Sequence, residues 1–76
     1  LLKNKKDGTS FKKAVIVTSI HQEYEWLDKY FPGHQFIKQS LIFEKEQPYD
    51  VLEIKTIDGE SLNIYFDISN FFRKGF

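Results

Sequence analysis

Between Gln35 and Ile68, large apolar residues recur at every second position in three successive runs, separated by the turn signals Gln47-Pro48 and Asp58-Gly59. Period-two alternation marks strands with one face in a core. The runs predict strands over Gln35–Lys45, Tyr49–Ile57 and Ser61–Ile68. Their buried face carries Ile37, Leu41 and Phe43, then Leu52 and Ile54, then Leu62, Ile64, Phe66 and Ile68. Residues opposed across a ladder share a face, so position parity also constrains the connections. Odd positions of the first strand must face even positions of the second. That requires an even-length loop, either the two residues Gln47-Pro48 or four residues around them. Even must face even across the second hairpin, where a two-residue Asp58-Gly59 turn would set Leu62 against Lys55. The pattern therefore predicts an odd, three-residue connection in which Gly59 takes a positive φ.

Upstream, Ala14-Val15-Ile16-Val17-Thr18 reads as a short strand, apolar on consecutive positions as strands covered on both faces are. Ser19, with Gln22 three residues on, has the capping-box pattern of a helix start. Ile20, Tyr24, Leu27 and Phe31 then form a helical stripe that Trp26 and Tyr30 widen, opposite His21, Gln22, Glu25, Asp28 and Lys29. Pro32-Gly33 ends the helix. The expected fold is α+β: a two-layer β-α-β-β-β arrangement with one helix packed on a mostly antiparallel sheet, the first strand lying parallel beside the fourth.

A chain of 76 residues supports one domain of stability about 4–11 kcal/mol. With no Cys, neither a disulfide nor a thiolate metal site is available. Eight Phe, four Tyr and one Trp supply the core instead. The longest apolar run, Ala14–Val17, is far short of the roughly 20 residues of a membrane-spanning helix. Compartment stays open, with the cytoplasm as default. The balance of eleven basic against eleven acidic residues is a cancellation. Residues 1–13 carry five Lys and one Asp, Arg73 and Lys74 add two positive charges, and the intervening body is acidic. Residues 1–10 read as a flexible basic arm and 11–76 as the folded domain.

Few constellations suggest chemistry. His21 and Glu25 share a helix face with His34 just beyond it, but the spacing of a zinc-binding helix is missing, so no metal or other cofactor is expected. Ser69, His21 and Asp67 can be assembled into a triad only on paper, since no Gly-flanked nucleophile turn surrounds any Ser. Glu44, Glu46 and Asp50 read as a charged sheet end that resists edge association. Gly8, Gly33, Gly59 and Gly75 are too scattered for a phosphate loop. No catalytic role is expected.

Ile64-Tyr65-Phe66-Asp67-Ile68-Ser69-Asn70-Phe71-Phe72, with Gln47-Pro48-Tyr49-Asp50-Val51-Leu52, Glu25-Trp26-Leu27 and Tyr30-Phe31-Pro32-Gly33 before it, resembles a set of small uncharacterised bacterial proteins with a YFDIS-x-FF ending. The resemblance implies a bacterial source and a self-contained domain beginning near Gly8, and it implies no activity.

The leading expectation is a non-catalytic protein-interaction or self-association module, a homodimer or a partner's docking domain. It would use an open strand edge or the second sheet face, where Phe36, Ile42, Val51, Ile57 and Tyr65 form an apolar patch in a charged frame. One alternative is weak nucleic-acid or anionic-surface binding through Lys3, Lys5, Lys6, Lys12, Lys13, Arg73 and Lys74. The acidic body makes nucleic acid an unfavoured partner. The other alternative is small-ligand binding between helix and sheet near Tyr24, Trp26 and Tyr30.

Overall fold

The computed structural model describes residues 6–72. Its elements are β1 (Val15–Ile16), α1 (Ile20–Tyr30), β2 (Gln35–Glu44), β3 (Gln47–Lys55) and β4 (Ser61–Asp67). The strands form one sheet in the order β1-β4-β3-β2. β2, β3 and β4 make the antiparallel meander and β1 pairs parallel with β4, Val15 opposite Phe66. This is the α+β arrangement that the alternation predicts, with β1 in the expected place.

Parity sets both hairpins. The first loop has even length, as it must, but consists of Lys45 and Glu46, both at positive φ (53° and 67°), closed by Glu44 opposite Gln47. Gln47 and Pro48 belong to β3 instead. The proline is tolerated there because it stands near the strand's start, where its missing N–H would face the frayed end of β4. Its carbonyl accepts from Ile68 N–H at 3.4 Å. In the second hairpin Thr56 N–H donates to the Glu60 carbonyl at 2.8 Å, leaving the three residues Ile57-Asp58-Gly59 as the loop, with Gly59 at φ 91°. Ile54 consequently opposes Leu62, and Leu52 opposes Ile64.

Ser19 caps α1, its Oγ accepting from Gln22 N–H, while Gln22 Oε1 accepts from Thr18 N–H one residue before the expected position. Phe31 ends the helix with its N–H on the Leu27 carbonyl. The buried stripe is rotated from the expected one. Glu23 and Leu27 are the buried residues of α1, whereas Tyr24 and Tyr30 are exposed. Leu27 packs with Val15, Val17, Leu52, Ile54, Ile64, Phe66 and Ile68 in the main core, with Trp26, Phe31, Leu62, Phe71 and Phe72 at its margin. Phe71 and Phe72 thus both pack against one margin of the core.

The opposite sheet face has its own lid. Ala14, Tyr49 and Val51 form a second cluster under Phe11, with Ile42 and Tyr65 beside it. The Phe11 ring meets Tyr49 and Tyr65 edge-on, at centroid distances of 4.9 and 4.8 Å. The expected flexible arm, residues 1–10, is described from residue 6 onward, where it makes backbone contacts with the domain. Gly8 N–H donates to the Lys13 carbonyl at 2.7 Å and its carbonyl accepts from Tyr65 N–H at 2.8 Å, which prolongs the edge of β4 beyond β1. Asp7 Oδ1 accepts from both the N–H and the hydroxyl of Thr9.

Two substitutions probe this architecture. Gly8 has φ 79°, and a Cβ there would stand 2.8 Å from Ile64 Cγ2. Gly8→Ala is expected to lower unfolding stability by about 1–3 kcal/mol in urea titrations. An ordinary flexible arm would give no change. Replacing Lys45-Glu46 by Asn-Gly, the pair preferred where both loop residues have positive φ, is expected to raise the urea midpoint, corresponding to about 0.5–1 kcal/mol.

Candidate functional site

Two carboxylic acids occupy the core. Glu23 on α1 and Asp50 on β3 are both 0% exposed. Asp50 opposes Leu41 on one side and Phe66 on the other, which sets it on the helix-facing side of the central strand. The expected cluster of Glu44, Glu46 and Asp50 is thus divided: Glu46 lies in the exposed turn, Glu44 ends β2, and Asp50 is in the core. Gln39 on β2 reaches over Asp50, its Nε2 donating to both carboxylate oxygens at 2.9 Å.

Glu23 has no such help: neither of its side-chain oxygens has a hydrogen-bond partner among the described residues. Two ionised carboxylates can only accept, so the pair cannot bond until one takes a proton. Burial first, and then a hydrogen bond and charge repulsion from Asp50, push the Glu23 pKa from 4.5 up to about 9. A pKa that high favours the neutral acid at Glu23 at neutral pH, the form that has a proton to donate toward an acceptor such as Asp50. Tyr24, beside the pair, is also raised by burial and by these two acids.

Sequence reasoning missed both Glu23 and Gln39. The signal for Glu23 was its spacing: Ile20, Glu23, Leu27 and Phe31 lie on one helical stripe as well as Ile20, Tyr24, Leu27 and Phe31 do. Asp50 shares parity with Leu52 and Ile54, which places it on their face.

Immediately outside this buried triad is an open surface. Among the described residues β2 pairs on one side only, with β3. Its helix-facing row is not covered: Phe36, Leu41 and Phe43 are 50%, 43% and 55% exposed. Phe43 touches Phe72 edge-on at its far end. A register shift between Phe36 and Lys38 puts Ile37 out of the ladder and Phe36 opposite Ile54. Of the five residues expected on the second face, only Ile42, Val51 and Tyr65 are together there. Phe36 stands on the helix-facing side, and Ile57 is in the β3–β4 loop at 76% exposure. Phe11 partly covers the three that remain. Next to them is a shallow cleft of about 240 Å³ framed by Lys38, Glu53 and Asn63.

The other expected sites are dispersed. Lys3, Lys5, Arg73 and Lys74 lie outside the described residues. Lys6 donates to the Lys12 carbonyl, and Lys12 and Lys13 are exposed. Trp26 and Tyr30 line a cleft of about 220 Å³ with Phe31, Lys6 and Asp7, small against the roughly 300–1,000 Å³ of ligand pockets. Tyr24 is not in its lining. His21 Nε2 lies 3.1 Å from Glu25 on the helix surface, while Ser69 Oγ donates to Asp67 at 2.7 Å. No helix among the described residues is long and apolar enough to cross a membrane. Comparison with protein-family models, curated proteins and solved structures finds no match.

The buried acid makes stability depend on pH with a definite sign. The unfolded chain releases the Glu23 proton near pH 4.5, whereas the folded one holds it to about pH 9. The folded state therefore binds the extra proton throughout that window, and stability falls as pH rises, by up to about 1.4 kcal/mol per pH unit. Urea titrations at pH 5, 7 and 9 are expected to show this decline. In Glu23→Gln, whose amide donates to Asp50 without titrating, the decline is expected to flatten.

Proposed function

We propose that this protein is a non-catalytic self-association module whose working surface is the open edge of β2 and the apolar row beside it. The observation that carries the reading is the exposure of Phe36, Leu41 and Phe43 on a ten-residue strand that, among the described residues, pairs on one side only. An edge of this length presents a row of N–H and C=O groups ready to pair with another chain, and the apolar row adds area to bury. The opposite sheet face is the weaker candidate because Phe11 already occupies it. The remaining edge, β1, has two residues. Among the described strands only β2 combines an open edge with the length for strand addition, and a second copy of the chain offers the same strand in return, as two-fold dimers require.

Sedimentation equilibrium at high micromolar concentration is expected to give a dimer mass. Leu41→Lys, on the exposed row, is expected to shift the protein toward monomer while leaving the melting temperature within a few degrees. A strict monomer for the unaltered chain at that concentration would overturn the reading.

A further inference from the structure

We propose that two copies join through β2 in one antiparallel register, with Lys38 of each copy opposite Glu44 of the other and the two Leu41 residues on the two-fold axis. The proposal rests on the self-association reading above and adds to it the partner strand and the register.

Backbone geometry narrows the choices first. A two-residue hairpin loop makes its flanking residues, Glu44 and Gln47, a mutually hydrogen-bonded pair. The even positions Lys38, Ser40, Ile42 and Glu44 then turn their N–H and C=O groups toward β3. Gln39, Leu41 and Phe43 turn theirs outward. The register shift before Lys38 breaks the ladder, so the regular part of the edge is Lys38–Glu44. Running that segment in full against a second copy opposes Lys38 with Glu44, Gln39 with Phe43, Ser40 with Ile42, and Leu41 with itself. Every outward-facing residue then has a partner.

Charge selects the same register. The pairing creates two symmetry-related Lys–Glu contacts; Lys38 faces Glu53 across its own ladder, but neither Lys38 nor Glu44 is within ion-pair distance of an opposite charge among the described residues. Opposite charges facing across a ladder stabilise it and like charges destabilise it. Moving the axis to Ser40 would set Lys38 against Ile42. Moving it to Ile42 would set Ser40 against Glu44 and send Lys38 to Glu46 in the turn. With the axis normal to the sheet, both helices lie on one side. The exposed rows then meet across the seam, Leu41 on Leu41 and Phe43 on Gln39. Growth stops at two copies, because the outer edge of each sheet is the two-residue β1, next to which Gly8 already bonds Tyr65.

Charge exchange tests the register. K38E alone and E44K alone each set like charges opposite one another, and each is expected to weaken self-association about tenfold or more. Mixing the K38E chain with the E44K chain is expected to yield a heterodimer, and the double variant K38E/E44K to regain the unaltered chain's dimer. Circular dichroism melts confirm that each variant folds. A dimer that persists in both single variants would overturn this register while leaving self-association standing. The absence of any dimer in the unaltered protein would overturn both.

Discussion

The burial of two carboxylic acids, Glu23 and Asp50, between helix and sheet is the constraint on which the arrangement of layers depends. Leaving a carboxylate in an apolar core without partners costs several kcal/mol, comparable to the whole stability of a domain this size. The chain accommodates the two acids by keeping one neutral and by bringing Gln39 to the other. Three elements are thereby tied at one point: α1 through Glu23, β3 through Asp50 and β2 through Gln39. A helix displaced by a turn, or β2 displaced by a residue, would strand a buried charge.

The exposed row on β2 follows from dimensions. A helix of eleven residues is about 16 Å long and, with its side chains, about 10 Å wide, enough to cover roughly two strands spaced 4.8 Å apart. Here it lies over the β1, β4 and β3 side of the sheet, where Val15, Phe66, Ile64, Leu52 and Ile54 are buried. Phe36, Leu41 and Phe43, on the helix-facing row of β2, are therefore left about half exposed.

Much of this architecture was legible because strand parity is a strict rule. It fixed an even first loop, an odd second loop with Gly59 at positive φ, and the Leu52–Ile64 and Ile54–Leu62 oppositions. β1 fell beside β4 as its apolar run suggested, but the cover on both faces is incomplete: Val15 and Val17 are buried on one side and Ala14 on the other, while Ile16 is 57% exposed. What escaped were features that break a local rule. Lys45 and Glu46 adopt a turn that usually recruits Asn and Gly, so Gln47-Pro48 looked like the better loop. The shift at Ile37 moved Phe36 to the opposite face from its parity. Glu23 was passed over because a charged residue in a helical stripe is ordinarily solvated, and only its coincidence with Asp50 across the layers makes burial tolerable.

The pairing of β1 with β4 has a consequence for how the chain acquires its structure. Val15 finds its partner in Phe66, and Gly8 in Tyr65, near the opposite end of the described chain. The two hairpins of β2, β3 and β4 need only short loops to form, while β1 must wait for β4 to exist and then cross to it over α1. During synthesis from the N-terminus, Val15, Val17 and the apolar side of α1 emerge long before the strand that shelters them. Of the described elements, the earliest made is thus the last to be enclosed.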